Sequence, residues 1–156
     1  MRAFLLMTAL FALAACATGS NGVAQSIQVS EGPCFGQCPI YDLTVSPDDH
    51  YLLDGQRFTR INGLSEGDLP DGSFARMASI LEDADFFDLP SDITFDNPDV
   101  CPGPPLSDMP SITITLTTRR GSHTVVWYQG CNNATMRDIR DGLRDAFQYQ
   151  DIVRPG

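Results

Sequence analysis

Apolar and polar residues alternate along several short stretches of the chain, and this period of two predicts β-strands. The clearest cases are residues 41–45 and 112–116, where Asp or Thr separates the apolar side chains. Shorter stretches at residues 27–29 and 50–53 predict two further strands, and residues 125–127 predict a strand near the C-terminus. We therefore expect a β-sheet of about five or six strands.

Turn-forming residues between these stretches indicate how the strands pair. Pro47-Asp48-Asp49 ends one strand, and Asp54-Gly55 is a strong signal for a two-residue hairpin. Residues 56–61 would then return as a strand and complete an antiparallel meander. Arg120-Gly121 predicts a second hairpin, which places the apolar residues of its two strands on one face of the sheet.

A period of three to four residues replaces the alternation after the meander and predicts a first helix. Asp71 or Ser73 can cap its start. Its apolar stripe consists of Phe74, Met77, Ala78, Leu81 and Ala84. This stripe would pack on the sheet, and the acidic and basic residues between its members would face solvent.

A second helix is predicted at about residues 134–148. Its candidate caps are Asn132, Asn133 and Thr135. Its apolar stripe consists of Met136, Ile139, Leu143 and Phe147, and its other face carries alternating Arg and Asp residues. We interpret the charged face as solvated and held by intrahelical ion pairs. The order of elements predicts an α+β fold, an antiparallel sheet with two helices packed on one face.

Residues 1–15 resemble a bacterial lipoprotein signal peptide. Arg2 supplies the positive charge, residues 3–13 form an apolar segment too short to span a bilayer, and Leu13-Ala14-Ala15-Cys16 resembles a lipobox. The resemblance implies cleavage before Cys16 and lipidation of that residue, and two or three acyl chains anchor a protein stably. The alternative is an ordinary secreted protein. We expect residues 16–26 to form a lipidated cysteine with a flexible tether, and residues 27–152 to form one domain.

Charge narrows the possible partners. Twenty acidic residues oppose ten basic ones, all of them Arg, for a net charge of −10. Such a chain repels nucleic acid and has no polybasic segment for an anionic membrane surface. We expect a monomer that is bound to the membrane only through its lipid and faces the periplasm. Ala17 after Cys16, rather than Asp, favours the outer membrane over the inner membrane.

The cysteines predict disulfide bonds. If Cys16 carries lipid, four cysteines remain, and an oxidising envelope favours two disulfides with three possible connectivities. The second hairpin places Cys131 beside the loop that carries Cys101, so these two can pair easily. That pairing leaves Cys34 with Cys38.

The bond between Cys34 and Cys38 would close a tight ring in which Gly36 supplies unusual backbone angles. Two other uses of the cysteines are redox exchange and zinc binding. Redox exchange usually needs two intervening residues and a helix, whereas here three residues intervene and a strand follows Pro39. A zinc site needs two closely spaced pairs, and the other two cysteines are far apart in sequence.

Residues 32–41, Gly-Pro-Cys-Phe-Gly-Gln-Cys-Pro-Ile-Tyr, are a specific motif. Together with the following strand, helix, proline-bearing loop and ITITL hairpin, the motif resembles the bacterial envelope family called domain of unknown function 6438. The resemblance covers roughly residues 26–148. It implies the fold and an envelope location, since members are often lipoproteins or secreted, but no known activity. Cys101 and Cys131 are not part of the family pattern.

Candidates for catalysis or metal binding are few. His50 and His123 each lie at a strand edge next to a turn, and we interpret both as surface side chains. Asp92, Asp96 and Asp99 would suggest a calcium site, but their spacing lacks the central Gly and terminal Glu of a calcium loop. We therefore expect a non-catalytic protein without a metal or cofactor.

The sequence predicts a lipid-anchored envelope domain that binds a partner or ligand. The candidate surface consists of Phe35 and Gln37 in the cysteine ring and Tyr41 in the following strand, close to the proline-rich residues 102–106. One alternative is an envelope thiol-disulfide oxidoreductase that uses the ring cysteines Cys34 and Cys38. The other is a structural lipoprotein without a ligand.

Overall fold

The computed structural model describes residues 22–155. The strands are β1 (Ala24–Glu31), β2 (Ile40–Val45), β3 (His50–Arg57), β4 (Gly63–Asp68), β5 (Asp92–Ile93), β6 (Ser111–Thr118) and β7 (Gly121–Tyr128). The helices are α1 (Ser73–Asp83), α2 (Ala134–Ala146) and α3 (Tyr149–Ile152), and a 3-10 turn covers Phe86–Asp88. The expected signal peptide and Cys16 lie outside the described residues.

The strands form one mixed sheet in the order β4-β3-β2-β1-β6-β7-β5. Every pair is antiparallel except β5 and β7, which are parallel. The α+β class is as predicted, but the expected five or six antiparallel strands are seven strands of mixed direction. One unpredicted strand is β5, whose two residues lie in a segment with no alternating pattern. A strand this short gives no periodic signal in the sequence.

β1 is the central strand of the sheet. It pairs with β2 on one side and with β6 on the other, and its residues Ile27 and Val29 are fully buried. The strand begins at Ala24, inside the segment that we expected to be a tether. Residues 24–26 are therefore part of the sheet, because their backbone pairs with the end of β6.

The predicted hairpin at Asp54-Gly55 is wrong. β3 runs straight through both residues, and the chain reverses only after Arg57, before β4 begins at Gly63. Gly55 serves a different purpose: a Cβ atom there would lie 2.0 Å from the carbonyl oxygen of Ile61. The glycine lets the following turn fold closely over the strand.

The helices and the buried side chains lie on one face of the sheet. Alternate residues of the central strands point into this core, which also contains the apolar stripes of α1 and α2. α1 and α2 pack against each other as well as against the sheet. No helix in residues 22–155 has the length and apolar character needed to cross a membrane.

Helix α1 is capped by a residue that the sequence did not indicate. The Asp49 carboxylate accepts hydrogen bonds from the backbone N–H groups of Gly72 and Phe74, both at 2.7 Å. The predicted caps, Asp71 and Ser73, make no such bond. Asp49 reaches the helix because it lies in the turn between β2 and β3, with a positive φ of 64°.

The remaining predicted elements are close to their observed positions. The second hairpin turns at Arg119-Arg120, one residue before the predicted turn, and its apolar side chains share a face as predicted. Helix α2 begins at Ala134, and its cap Asn133 accepts a hydrogen bond from Met136 N at 3.0 Å. The short helix α3 was not predicted.

Candidate binding cleft

The cysteine ring is a closed, exposed loop at the start of β2. Cys34 and Cys38 form a disulfide with Cα atoms 5.8 Å apart, and Gly36 has a φ of +146°. The side chain of Phe35 is 88% exposed. Its backbone N–H donates to the carbonyl oxygen of Asp108 at 3.1 Å, which joins the ring to the proline-rich loop.

The proline-rich loop is held by the second expected disulfide, between Cys101 and Cys131. Both cysteines are buried. The Tyr128 hydroxyl donates to the carbonyl oxygen of Leu106 at 2.8 Å, and the Leu106 N–H donates to Gly130 at 3.0 Å. The loop is thus fixed to the end of β7, with the Leu106 side chain exposed.

A cleft of about 570 Å³ lies between the cysteine ring and the C-terminal helices. One wall consists of Gln37, Cys38, Pro39, Met109 and Pro110. The other consists of Asp141, Arg144, Asp145, Tyr149, Gln150 and Arg154. Glu31 and Gln129, at the ends of β1 and β7, also line the cleft. The cleft therefore brings together side chains from distant parts of the chain.

A buried ion pair joins the two sides of this cleft. Arg144 Nη2 lies 2.6 Å from Glu31 Oε1 and 2.7 Å from Oε2. The Glu31 side chain is 3% exposed and that of Arg144 is 23% exposed. Gln129 donates a further hydrogen bond to Glu31 at 3.0 Å. A charge this deeply buried needs such partners, because its desolvation is costly.

Helix α2 contributes a second arginine to the network. Arg140 donates to the Gln129 side-chain oxygen and to Asp141, both at 2.8 Å, and its guanidinium lies over the Trp127 ring. Arg144 similarly lies 4.4 Å from the centre of the Tyr149 ring. The interpretation of the charged face as solvated is therefore wrong for these two arginines, which flank the buried stripe and turn towards the sheet.

The electrostatics of the network extend to two tyrosines. Burial raises the pKa of Tyr41 well above its ordinary value, and the negative charge of Glu31 raises it further. Burial and Glu31 also raise the pKa of Tyr149. Burial lowers the pKa of Arg144, but attraction to Glu31 outweighs this effect and the net pKa is raised. The raised pKa values of Tyr41 and Tyr149 keep both phenols neutral at neutral pH.

The structure separates the three residues of the predicted binding surface. Phe35 is exposed on the ring and Gln37 lines the cleft. Tyr41, however, is only 1% exposed, and its hydroxyl has no hydrogen-bond partner of ordinary geometry among the described residues. It lies on the core-facing side of β2 together with Leu43 and Val45, so it does not belong to the surface.

Sequence reasoning missed Glu31 and the inward turn of Arg144. One signal was available: Glu31 continues the alternation of Ile27 and Val29 and therefore points to the core side of β1. An acidic residue at such a position requires a buried basic partner. The partner lies 113 residues away, so the pattern alone does not identify it.

Neither histidine lines the cleft. His50 is partly exposed and its Nδ1 lies 3.0 Å from Asp68, which raises its pKa. The prediction that His123 is a surface side chain is wrong, because it is half-buried: its Nε2 lies 2.9 Å from the Leu89 carbonyl oxygen, and its ring packs against Phe86 and Phe87. No group of three or more potential metal ligands occurs within residues 22–155.

A family model described as Domain of unknown function (DUF6438) matches residues 25–151. This range includes all of β1 except Ala24, the other six strands and both long helices. No curated protein matches the chain.

Proposed function

The chain belongs to the DUF6438 family, and we propose that this member is a non-catalytic binding domain anchored by lipid in the bacterial envelope. The observation that carries the binding role is the exposed Phe35 on a covalently closed ring beside the cleft. The anchor rests on the lipobox that ends at Cys16.

The ring suits an aromatic contact residue. Covering an exposed phenylalanine removes its apolar surface from water, which favours association. Large aromatic side chains dominate the energetics of many interfaces. The disulfide and the hydrogen bond from Phe35 to Asp108 already fix the ring. Binding therefore orders little backbone, which reduces the entropic cost of association.

The cleft suits an uncharged polar segment of a partner. Arg144 and Arg154 are balanced by Asp141 and Asp145 along the same wall, so a ligand of either charge would meet a like charge. Arg144 is engaged with Glu31 through Nη2, and Arg154 adds a further guanidinium N–H donor to the wall. A polypeptide backbone offers the carbonyl oxygens that such a donor can bind. We therefore favour a partner protein whose extended segment enters the cleft.

Two substitutions with similar exposure test this role. Phe35 is 88% exposed on the ring, and Leu64 is 73% exposed on β4 at the far edge of the sheet. In intact envelopes treated with a crosslinker, Phe35→Ser should remove a specific adduct that Leu64→Ser leaves in place. Equal adducts in both variants would contradict the proposed surface.

A separate experiment tests the anchor. Intact-mass analysis of the mature protein should show a chain that begins at Cys16 and carries added acyl mass. Cys16→Ser should move the protein from the membrane fraction to the soluble fraction. A mature chain of unmodified mass would disprove the lipid anchor and leave the binding role to be judged on its own test.

The second candidate is a thiol-disulfide oxidoreductase. Cys34 and Cys38 are each partly exposed, and Cys38 lines the cleft, so a substrate thiol could reach the bond. The ring nevertheless lacks the helix N-terminus that lowers the pKa of a reactive thiol, since β2 follows it directly. This geometry favours the binding role.

A further inference from the structure

A second depression in the surface lies at the opposite end of β1. The binding cleft is at Glu31, whereas this groove of about 530 Å³ is beside Ala24. The side chains that form most of its walls are Val23, Ala78, Leu81, Phe86, Phe87 and Leu116. Its size falls within the usual range for small-molecule sites. An apolar groove of this kind suits a hydrocarbon ligand.

The groove lies where the chain emerges from the undescribed N-terminal residues. Gly22 and Val23 are part of its lining, and the Val23 carbonyl oxygen accepts a hydrogen bond from Arg119 at 3.3 Å. Cys16 precedes Gly22 by six residues. A fully extended chain of that length reaches about 20 Å, so a group attached to Cys16 always remains close to the groove.

The border of the groove carries charges of both signs. Glu82, Arg119 and Arg120 line it, and all three are exposed. They suit the polar end of a ligand whose hydrocarbon part enters the apolar interior of the groove. The ester-linked acyl chain of a lipidated cysteine carries no charge, and its carbonyl oxygens can accept hydrogen bonds from a guanidinium group.

We propose that this groove binds one acyl chain on Cys16 of the same molecule when the protein is outside the bilayer, an inference that rests on the proposed lipid anchor. A short connection gives the attached chain an effective concentration in the millimolar range. Even modest affinity for hydrocarbon therefore fills the groove. Burial of one acyl chain would reduce the hydrocarbon area that the lipidated protein exposes to water while it is outside the bilayer.

The first arm of the test uses the mature chain with Cys16→Ser, secreted behind a leader that another peptidase removes. A fluorescent methyl ester of a long-chain fatty acid should bind it saturably. Ala78→Trp fills the groove and should weaken binding at least about tenfold, the usual scale for one misfit group in an apolar pocket. Ala134→Trp, at an exposed position of α2, is the matched control and should bind normally.

A second groove variant guards against misfolding. Val23 is 63% exposed, so Val23→Asp should leave the fold intact while it places a charge in the groove wall. It should also weaken probe binding. The inference is overturned if the Cys16→Ser chain does not bind the probe, or if folded Val23→Asp protein binds it as tightly as the parent.

The second arm identifies the occupant. Lipidated protein, diluted below the concentration at which its detergent forms micelles, should not bind the probe because its own acyl chain fills the groove. Equal binding by lipidated and Cys16→Ser protein would overturn self-occupancy. Absence of lipid on Cys16, seen by mass, would instead disprove the proposed anchor, and the first arm would still report whether the groove takes hydrocarbon.

Discussion

Arg144 of helix α2 contacts both carboxylate oxygens of Glu31 at the end of strand β1, 113 residues earlier in the chain. The two side chains connect the central strand to the last long helix at the base of the cleft. Because Glu31 is almost fully buried, the pair fixes the position of α2 relative to the sheet, and with it the width of the cleft.

The ion pair should contribute strongly to stability. Glu31→Ala leaves the partly buried guanidinium of Arg144 without its carboxylate, and loss of one partner of a buried pair costs roughly 3–5 kcal/mol. Chemical denaturation measures the change. Arg76→Ala is the control, because Arg76 and Asp145 form an exposed pair worth less than about 1 kcal/mol. Equal losses in the two variants would contradict a structural role for the buried pair.

Helix α1 is capped by Asp49 in the structure, whereas the sequence predicts Asp71 or Ser73 as the cap. Asp49→Ala removes the acceptor for two backbone N–H groups and should lower the free energy of unfolding by about 1–2 kcal/mol. Asp71→Ala should have little effect because Asp71 makes no capping bond. Thermal or chemical unfolding of both variants measures the difference, and a larger loss for Asp71→Ala would show that the cap is misassigned.

Tyr41 should make stability depend on alkaline pH. Its pKa in the folded protein is raised above the unfolded value of about 10. The unfolded chain therefore loses the phenol proton first, and stability, complete below about pH 10, falls as pH rises above that value. Tyr41→Phe should flatten this fall. Denaturation curves on both sides of pH 10 test the prediction. The control is Tyr51→Phe, because the Tyr51 side chain on β3 is partly exposed. If stability falls as steeply with pH in Tyr41→Phe as in the parent, the prediction is refuted.

Tyr41→Phe should also be well tolerated at neutral pH. The Tyr41 hydroxyl is buried without a hydrogen bond of ordinary geometry, and its removal takes away only a weak contact with Arg144, which keeps its pair with Glu31. We expect a change in the free energy of unfolding below about 1 kcal/mol, because the volume of the buried ring is nearly conserved. A larger loss would mean that the hydroxyl has a partner in solution.

The two disulfides should differ in their response to reductant. Cys101 and Cys131 are at most 4% exposed, whereas Cys34 and Cys38 lie partly exposed in the ring. Mild reduction followed by alkylation and mass analysis should label the ring cysteines first. Rapid cycling of that pair with a substrate thiol would favour the oxidoreductase alternative, and resistance to reduction would favour a structural ring.

Local patterns in the sequence were sufficient for much of the fold. Strands β2 and β6 follow from strict alternation, and α2 follows from its apolar stripe and the cap at Asn133. The pairing of Cys101 with Cys131 followed from the hairpin that brings their loops together. These features depend on residues close in sequence or on a single turn.

The features that were missed depend on distant contacts. Gly55 was interpreted as a turn glycine, although its role is to admit the backbone of Ile61, and Asp49 caps a helix that begins more than twenty residues later. Arg144 was placed on a solvated face because its partner, Glu31, lies in the first strand. The pattern of residue types along the chain does not show which residues distant in sequence come into contact.

The most direct test of the binding role is photo-crosslinking from the ring in living cells. A photoreactive amino acid at Gln37 faces the cleft, and one at Gln56, an exposed residue of β3, serves as the control. The binding role predicts a discrete protein adduct from position 37 that is absent from position 56 and disappears with Phe35→Ser. No adduct from position 37, or the same adducts from both positions, would contradict it.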